Sequence, residues 1–378
     1  MAVINYLTTI QFGFGVISTL AEECARVGIT RPLLVTDKGV RAAGLVDRVT
    51  TALGTLPVVI FDETPGNPNE QAVRAAVTLY KQHGCDGVVA VGGGSAIDLA
   101  KGVAVCATHE GSLKDFAVIE GGLARITTAT APVIAVPTTA GTGSEVGRGA
   151  ILILDDGRKV GVISPYIIPK SAVCDPELTM GLPQMMTAAT GMDAIAHCIE
   201  TFLAPAFNPP ADGIALDGLR RAWRHIEKAT YEPGNRDARM NLMIASTEGA
   251  LAFQKGLGCV HSLSHSLGGI NPRLHHGTLN AVFLPAVIRF NASADTVVSE
   301  DKMARLAEVM RVDGPDAVAP AVQAMRERLG LPRGLTEMGV SPDLYARVVD
   351  GALADHSHKT NPRDASREDY LAMLQASA

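Results

Sequence analysis

Residues 87–101 read Gly-Val-Val-Ala-Val-Gly-Gly-Gly-Ser-Ala-Ile-Asp-Leu-Ala-Lys, and the reading of the fold turns on this stretch. Gly87–Val91 is short, apolar and rich in valine, the pattern of a strand buried on both faces. Gly92, Gly93 and Gly94 follow at once, and a helical pattern begins with Ser95. Ser95 with Asp98 three residues on reads as an acidic capping box that starts the helix. Strand, glycine turn and helix N-terminus in series make an anion site, because free backbone N–H groups and the positive end of the helix dipole face one point. An ordinary βα turn needs fewer glycines, since each loses much backbone freedom on folding. The expectation is a pyrophosphate on the free N–H groups of this turn, with Gly92, Gly93, Gly94, Ser95 and Asp98 as cofactor-binding residues. The spacing is not G-x-G-x-x-G, so that fingerprint does not apply.

Outward from this loop, Pro32–Thr36, Val58–Phe61 and Val133–Val136 read as further buried strands. Between them Ala72, Val73, Ala76, Val77 and Tyr80 repeat at helical spacing. Strands alternating with helices predict an α/β unit with a mostly parallel sheet. Asp37 ends the first strand, where a carboxylate can accept from ribose hydroxyls and disfavour a 2′-phosphate, or cap the helix that follows. After the 133–136 strand, Thr138, Thr139, Gly141 and Ser144 lie in a second loop whose hydroxyls suit a ligand or a solvated turn. From Leu182 the periodicity becomes helical throughout, with examples at 185–203, 239–254 and 302–310. The reading is two domains, 1–180 (α/β, nucleotide-binding) and 181–378 (all-helical), with their cleft as the expected ligand site.

Composition limits the classes of function. The 378 residues are 47% hydrophobic and 19% charged, which excludes disorder as the overall state. The net charge of -6 lacks the basic excess of a nucleic-acid binder. Six scattered cysteines form no CxxC pair, so neither a zinc ribbon nor a thioredoxin motif is expected. With no secretory signal at the N-terminus and no long apolar run, the expectation is a cytoplasmic protein that contacts no membrane.

Two clusters suggest a metal. Asp193 and His197 are four apart, on one face of a helix among apolar neighbours. Four of the ten histidines, His261, His265, His275 and His276, fall within residues 261–276. Imidazole and carboxylate suit Fe(II), Zn(II), Mn(II), Co(II) or Ni(II), and the ligand set alone does not choose among them. A zinc-peptidase HExxH motif is absent, since Ser262 follows His261.

Taken together, these segments resemble the iron-containing (group III) alcohol dehydrogenase family over essentially the whole chain. The carriers are Val35–Gly39, Gly92–Lys101, Pro137–Glu145, Asp175-Pro176, the Asp193/His197 helix, His261–His265 and His276-Gly277. The resemblance implies a dehydroquinate synthase-like fold: an N-terminal dinucleotide-binding α/β domain and a C-terminal helical domain. It implies NAD, and a divalent metal, Fe(II) first and Zn(II) or another second, held by Asp193, His197, His261 and His276. His276 is chosen over His275 because the family's last ligand precedes a glycine. It further implies a proton-handling or positioning role for His265, a cofactor-side position for Lys159, and a homo-oligomer.

Within the family, Cys198–Asp212 and Ala252–His261 look most like the branch that interconverts 4-hydroxybutyrate and succinate semialdehyde. A carboxylate-bearing substrate calls for a cation, and Lys255 and Arg148 are the two considered, although either can equally be an ordinary ion-pair residue. A general short-chain alcohol dehydrogenase, a dehydroquinate synthase-like lyase and a non-catalytic nucleotide-binding protein stand as alternatives. The lyase lacks its set of cations here, and a sensor has no need of the full Asp/His set.

Overall fold

The structure is a computed structural model that describes residues 8–378. The chain forms two compact units. One comprises the described residues up to Thr139 together with Ser144–Gly181, and the other comprises Ala140–Gly143 with Leu182–Ala378.

The first unit carries eight strands: β1 (Thr9–Phe12), β2 (Pro32–Val35), β3 (Val59–Phe61), β4 (Gly87–Gly92), β5 (Val133–Pro137), β6 (Gly149–Ile153), β7 (Lys159–Ile163) and β8 (Ser171–Cys174). Six of them form a parallel sheet in the order β1-β8-β5-β4-β2-β3. Alternate side chains of each strand leave on opposite faces, and the two faces have separate cores. Leu33, Val35, Val88, Ala90, Val133 and Ala135 pack with Val73 and Ala76 of helix Glu70–Gln82 and with Ile97 and Ala100 of helix Gly94–Cys106. Leu34, Val89, Val91, Ile134 and Val136 pack with Leu20, Val46 and Val49 on the other face. The continuous apolar runs follow from this double burial.

The sequence pattern missed the edge strand β1, β8, and the antiparallel β6–β7 hairpin. The hairpin strand Gly149–Ile153 buries alternate residues, Ala150 and Leu152. The chain passes from β2 outward to β3, then returns to β4 on the other side of β2. The carboxyl ends of β2 and β4 therefore flank the point where strand order reverses, the usual ligand crevice of an open α/β sheet.

The second unit is helical. Helix Gln184–Leu203 is buried from Thr187 to Leu203 on every side, the signature of a helix at the centre of its unit. Helices Pro209–Tyr231, Arg236–Leu251 and His276–Asn291 pack against it. Among the described residues, no helix is long and apolar enough to cross a membrane. All six cysteines are free thiols, and burial pushes Cys24 and Cys259 up to about 12.

Candidate functional site

In the first unit the glycine loop differs from expectation in one detail. Helix Gly94–Cys106 starts at Gly94, and its N-cap is Gly93, which offers no side-chain cap. Ser95 lies inside the first turn and donates to the Gly66 carbonyl (2.6 Å), so the Ser95/Asp98 capping box does not form. An uncapped first turn leaves backbone donors for an external anion. Gly92 holds φ +152°, and a Cβ there would stand 2.8 Å from Ala96 Cβ. A side chain at Gly92 would also approach Asp37 Oδ2 (3.6 Å), which brings the carboxyl ends of β2 and β4 together. Asp37 caps its own helix through Oδ1, which accepts from Val40 N (2.9 Å). Thr139 borders Gly93, and the Thr138 amide is taken by the Gly92 carbonyl.

Asp98 and Ser144 are tied to each other and to the neighbouring hairpin. Ser144 Oγ donates to Asp98 Oδ1 (2.6 Å), and Ile151 N to Asp98 Oδ2 (2.9 Å). The buried Lys101 ammonium donates to Ser144 Oγ and to the carbonyls of Gly147 and Gly149. Burial lowers Lys101 to about 8 despite the Asp98 and Glu145 carboxylates. Lys159 Nζ donates to Asn67 Oδ1 (2.9 Å).

The second unit gathers the metal-type residues. Asp193, His197 and Glu200 line one face of helix Gln184–Leu203, and His261 and His265 one face of helix Cys259–Ile270. His276 opens helix His276–Asn291. Asp193 Oδ1 lies 3.6 Å from His197 Nε2, 3.8 Å from His261 Nε2 and 3.7 Å from His276 Nε2. Ligands about 2.0–2.2 Å from one ion sit roughly 3.0–3.5 Å apart; the donor atoms of Asp193, His197 and His261 all lie within 4.8 Å of one another, and His276 joins them through its 3.7 Å approach to Asp193 Oδ1.

The outward nitrogens fix the tautomers. His197 Nδ1 donates to the Gly141 carbonyl (3.1 Å), so Gly141, expected at the nucleotide, also holds a histidine. His261 Nδ1 meets Glu200 Oε2 at 2.5 Å, and His276 Nδ1 meets Ser264 Oγ at 3.4 Å. A carbonyl or carboxylate only accepts, so His197 and His261 keep their protons on Nδ1 and turn Nε2 lone pairs inward. Burial lowers His197 to about 4. Burial works against protonation of His261 too, but Glu200 and Asp193 outweigh it and raise its pKa.

The glycine after His276 has a steric reason. A Cβ at Gly277 would lie 2.3 Å from the Ala189 carbonyl oxygen, so only glycine lets this helix start abut helix Gln184–Leu203. His275 is the helix N-cap; its Nδ1 accepts from Thr278 N (3.4 Å). Of the two candidates for the last ligand, the structure therefore turns His276 toward Asp193.

Three residues here escaped sequence reasoning. Glu200 continues the Asp193/His197 stripe by one more turn, a signal that was present. It also accepts from Val260 N (2.8 Å), which ties the start of helix Cys259–Ile270 to helix Gln184–Leu203. Asn280 Nδ2 sits 2.6 Å from Asp193 Oδ1, 3.2 Å from His261 Nε2 and 3.1 Å from His276 Nε2, while its Oδ1 is buried without a hydrogen-bond partner. Asp355 Oδ2 accepts from His265 Nδ1 (3.0 Å), across ninety positions that no local pattern links.

The cations proposed for a substrate carboxylate divide. Lys255 is buried, with its ammonium bonded to Asp212 and to the Phe202 carbonyl (3.1 Å). Its charge is paired inside its own unit. Arg148 is exposed and makes no ion pair among the described residues.

Comparison with known proteins gives a consistent picture. The family description "Iron-containing alcohol dehydrogenase" matches residues 8–176, and "Fe-containing alcohol dehydrogenase family, C-terminal" matches residues 187–378. The chain is 65% identical over 382 residues to 4-hydroxybutyrate dehydrogenase of Cupriavidus necator, covering 100% of both. It is 35% identical to 1,3-propanediol dehydrogenase of Klebsiella pneumoniae, over 96% of this chain and 95% of the relative. Among solved structures it is similar to a 1,3-propanediol oxidoreductase, with 34% identity, TM-score 0.92 and full coverage of both chains.

Proposed function

The chain belongs to the iron-containing alcohol dehydrogenase family and is an NAD-linked alcohol oxidoreductase, and from that premise we propose that it interconverts 4-hydroxybutyrate and succinate semialdehyde. The observation that carries the substrate is the whole-length likeness to the Cupriavidus necator enzyme. The proposed metal is Fe(II), with Zn(II) or another divalent ion as substitute, on Asp193, His197, His261 and His276. Four inward donors with their outer nitrogens engaged fit such an ion. When bound, the cation supplies Lewis acidity toward the substrate oxygen and NAD(H) supplies the hydride chemistry.

The chain's own residues position and exchange protons. The uncapped helix start at Gly93 and Gly94 takes the cofactor's pyrophosphate, with Gly92 and Thr139 shaping the loop and Asp37 Oδ2 accepting from a ribose hydroxyl. His265, oriented by Asp355 through Nδ1, handles the proton exchanged with the substrate hydroxyl at its other nitrogen. Asp355 is well placed to orient a ring: burial alone would raise its carboxyl, but His265 and His356 hold it far below the usual carboxylate range. Arg148 is the cation offered to the substrate carboxylate. The reading includes a cytoplasmic homo-oligomer.

The test is NADH oxidation by Fe(II)-reconstituted protein, with succinate semialdehyde against butyraldehyde. A strong preference for the semialdehyde is expected, and comparable rates would make the enzyme a general alcohol dehydrogenase. Arg148→Met is expected to raise KM for the semialdehyde several-fold and to leave butyraldehyde unchanged, and an equal loss on both removes Arg148 from this role.

A further inference from the structure

Beside the Asp193 cluster stands a second convergence of donors. His265, Asp355 and His356 each place one donor atom within 4.8 Å of the others. His265 Nδ1 is 3.0 Å and His356 Nδ1 3.7 Å from the same oxygen, Asp355 Oδ2. These spacings suit ligands about 2.0–2.2 Å from a shared ion. The other carboxylate oxygen is pinned, since Asp355 Oδ1 accepts from Ser357 N (2.8 Å). The two imidazole planes lie 21° apart with centroids separated by 5.7 Å, so both rings meet the carboxylate by their Nδ1 edges. The His356 side chain is 27% exposed whereas those of His265 and Asp355 are 6% and 9% exposed, which gives an ion one open side for entry. Two imidazoles and one carboxylate are a borderline set that suits Zn(II), Co(II) or Ni(II) and serves Mg(II) or Ca(II) poorly.

We propose that His265, Asp355 and His356 form a second divalent-metal site for ions of the Zn(II) class, and that filling it inhibits the enzyme by immobilising His265. The site is separate from the Asp193 donors, yet adjacent: His265 stacks on His276 with ring centroids 5.4 Å apart. With three protein ligands and a neighbouring cation to repel it, the second ion binds more weakly than the first. The inhibitory consequence rests on the role proposed above for His265; the existence of the site does not.

The experiment is equilibrium dialysis of the full chain, without a histidine tag, against excess Zn(II), followed by metal counting. The expected count falls by one Zn(II) per chain on His356→Ala and returns with His356→Cys, which restores a donor. The same loss is expected in an Asp193→Asn background, so the outer site is counted even where the inner one fails. Excess Zn(II) is expected to inhibit the wild type reversibly, at concentrations at least tenfold lower than for His356→Ala. Equal zinc counts with and without His356 overturn the site, and equal inhibition of the two proteins overturns its effect on catalysis.

Discussion

The glycine loop draws its groups almost entirely from residues 92–95 and from the strand ends beside them, whereas the histidine cluster takes Asp193 and His197 from one helix, His261 from a second and His276 from a third. The proposed phosphate site would use backbone N–H groups, which every residue carries; its requirement is the absence of side chains. The cluster uses particular side chains, and its requirement is that three helices agree in position. Glu200 and Gly277 supply that agreement, one by bonding His261 Nδ1 and Val260 N, the other by letting a helix end meet the Ala189 carbonyl. A loop of the first kind is tuned locally. A cluster of the second kind weakens when any one support is lost.

The largest effect that would test this contrast is expected from Asp193→Asn. It removes the one anion on which three Nε2 atoms converge, and metal content and turnover should both fall far beyond the roughly 10–100-fold typical of losing an outer partner. Unchanged metal content would break the assignment. Next comes Glu200→Gln, which keeps the shape but replaces an accepting oxygen with a donor or a neutral acceptor. Metal affinity should drop by about 10–100-fold, with the fold intact by circular dichroism. An unaltered affinity would show that helix packing alone orients His261. Gly92→Ala acts on the other region: strain of about 1–3 kcal/mol at a positive φ should distort the loop and raise KM for NAD(H) several-fold. Bound metal should stay constant, and its loss would mean that the two regions are not independently built.

The smallest effect concerns the scaffold under the cluster. Burial and the neighbouring Asp217 raise Glu248 to about 8. A carboxyl raised above its unfolded value favours folding when protonated. Its stabilising contribution is complete below the unfolded pKa of about 4.5 and is lost as pH rises through about 8. The thermal midpoint should therefore decline between pH 5 and pH 9, and Glu248→Gln should flatten that part of the decline. A slope unchanged by the substitution would assign it to other groups.

Much of this was legible before the structure. Apolar runs separated by helical periodicity gave four strands of the parallel sheet, because burial on both faces leaves a contiguous signal. β1, β8 and the β6–β7 hairpin lay in stretches whose local pattern did not announce a strand; their pairing is set by partners far along the chain. Among the site residues, Asp193 and His197 announce themselves through one helix repeat, as do His261 and His265. Asp98, Ser144 and Lys255 illustrate the opposite case. Each has a polar group that chemistry could use, but the fold supplies an internal partner first.

The sequence by itself determined the local chemistry: which segments become strands or helices, where backbone donors are left bare, and which side chains share a helix face. These follow from periodicity and from the steric permissions of single residues. Tertiary structure alone decided that His276 and not His275 turns to Asp193, that Gly141 holds His197, that Asp355 meets His265, and that Lys255 is spent on Asp212. Each of these is a contact between residues distant along the chain, or a choice of direction at a helix end. Such contacts depend on how whole elements pack, and packing is a property of the assembled core that no local window of sequence contains.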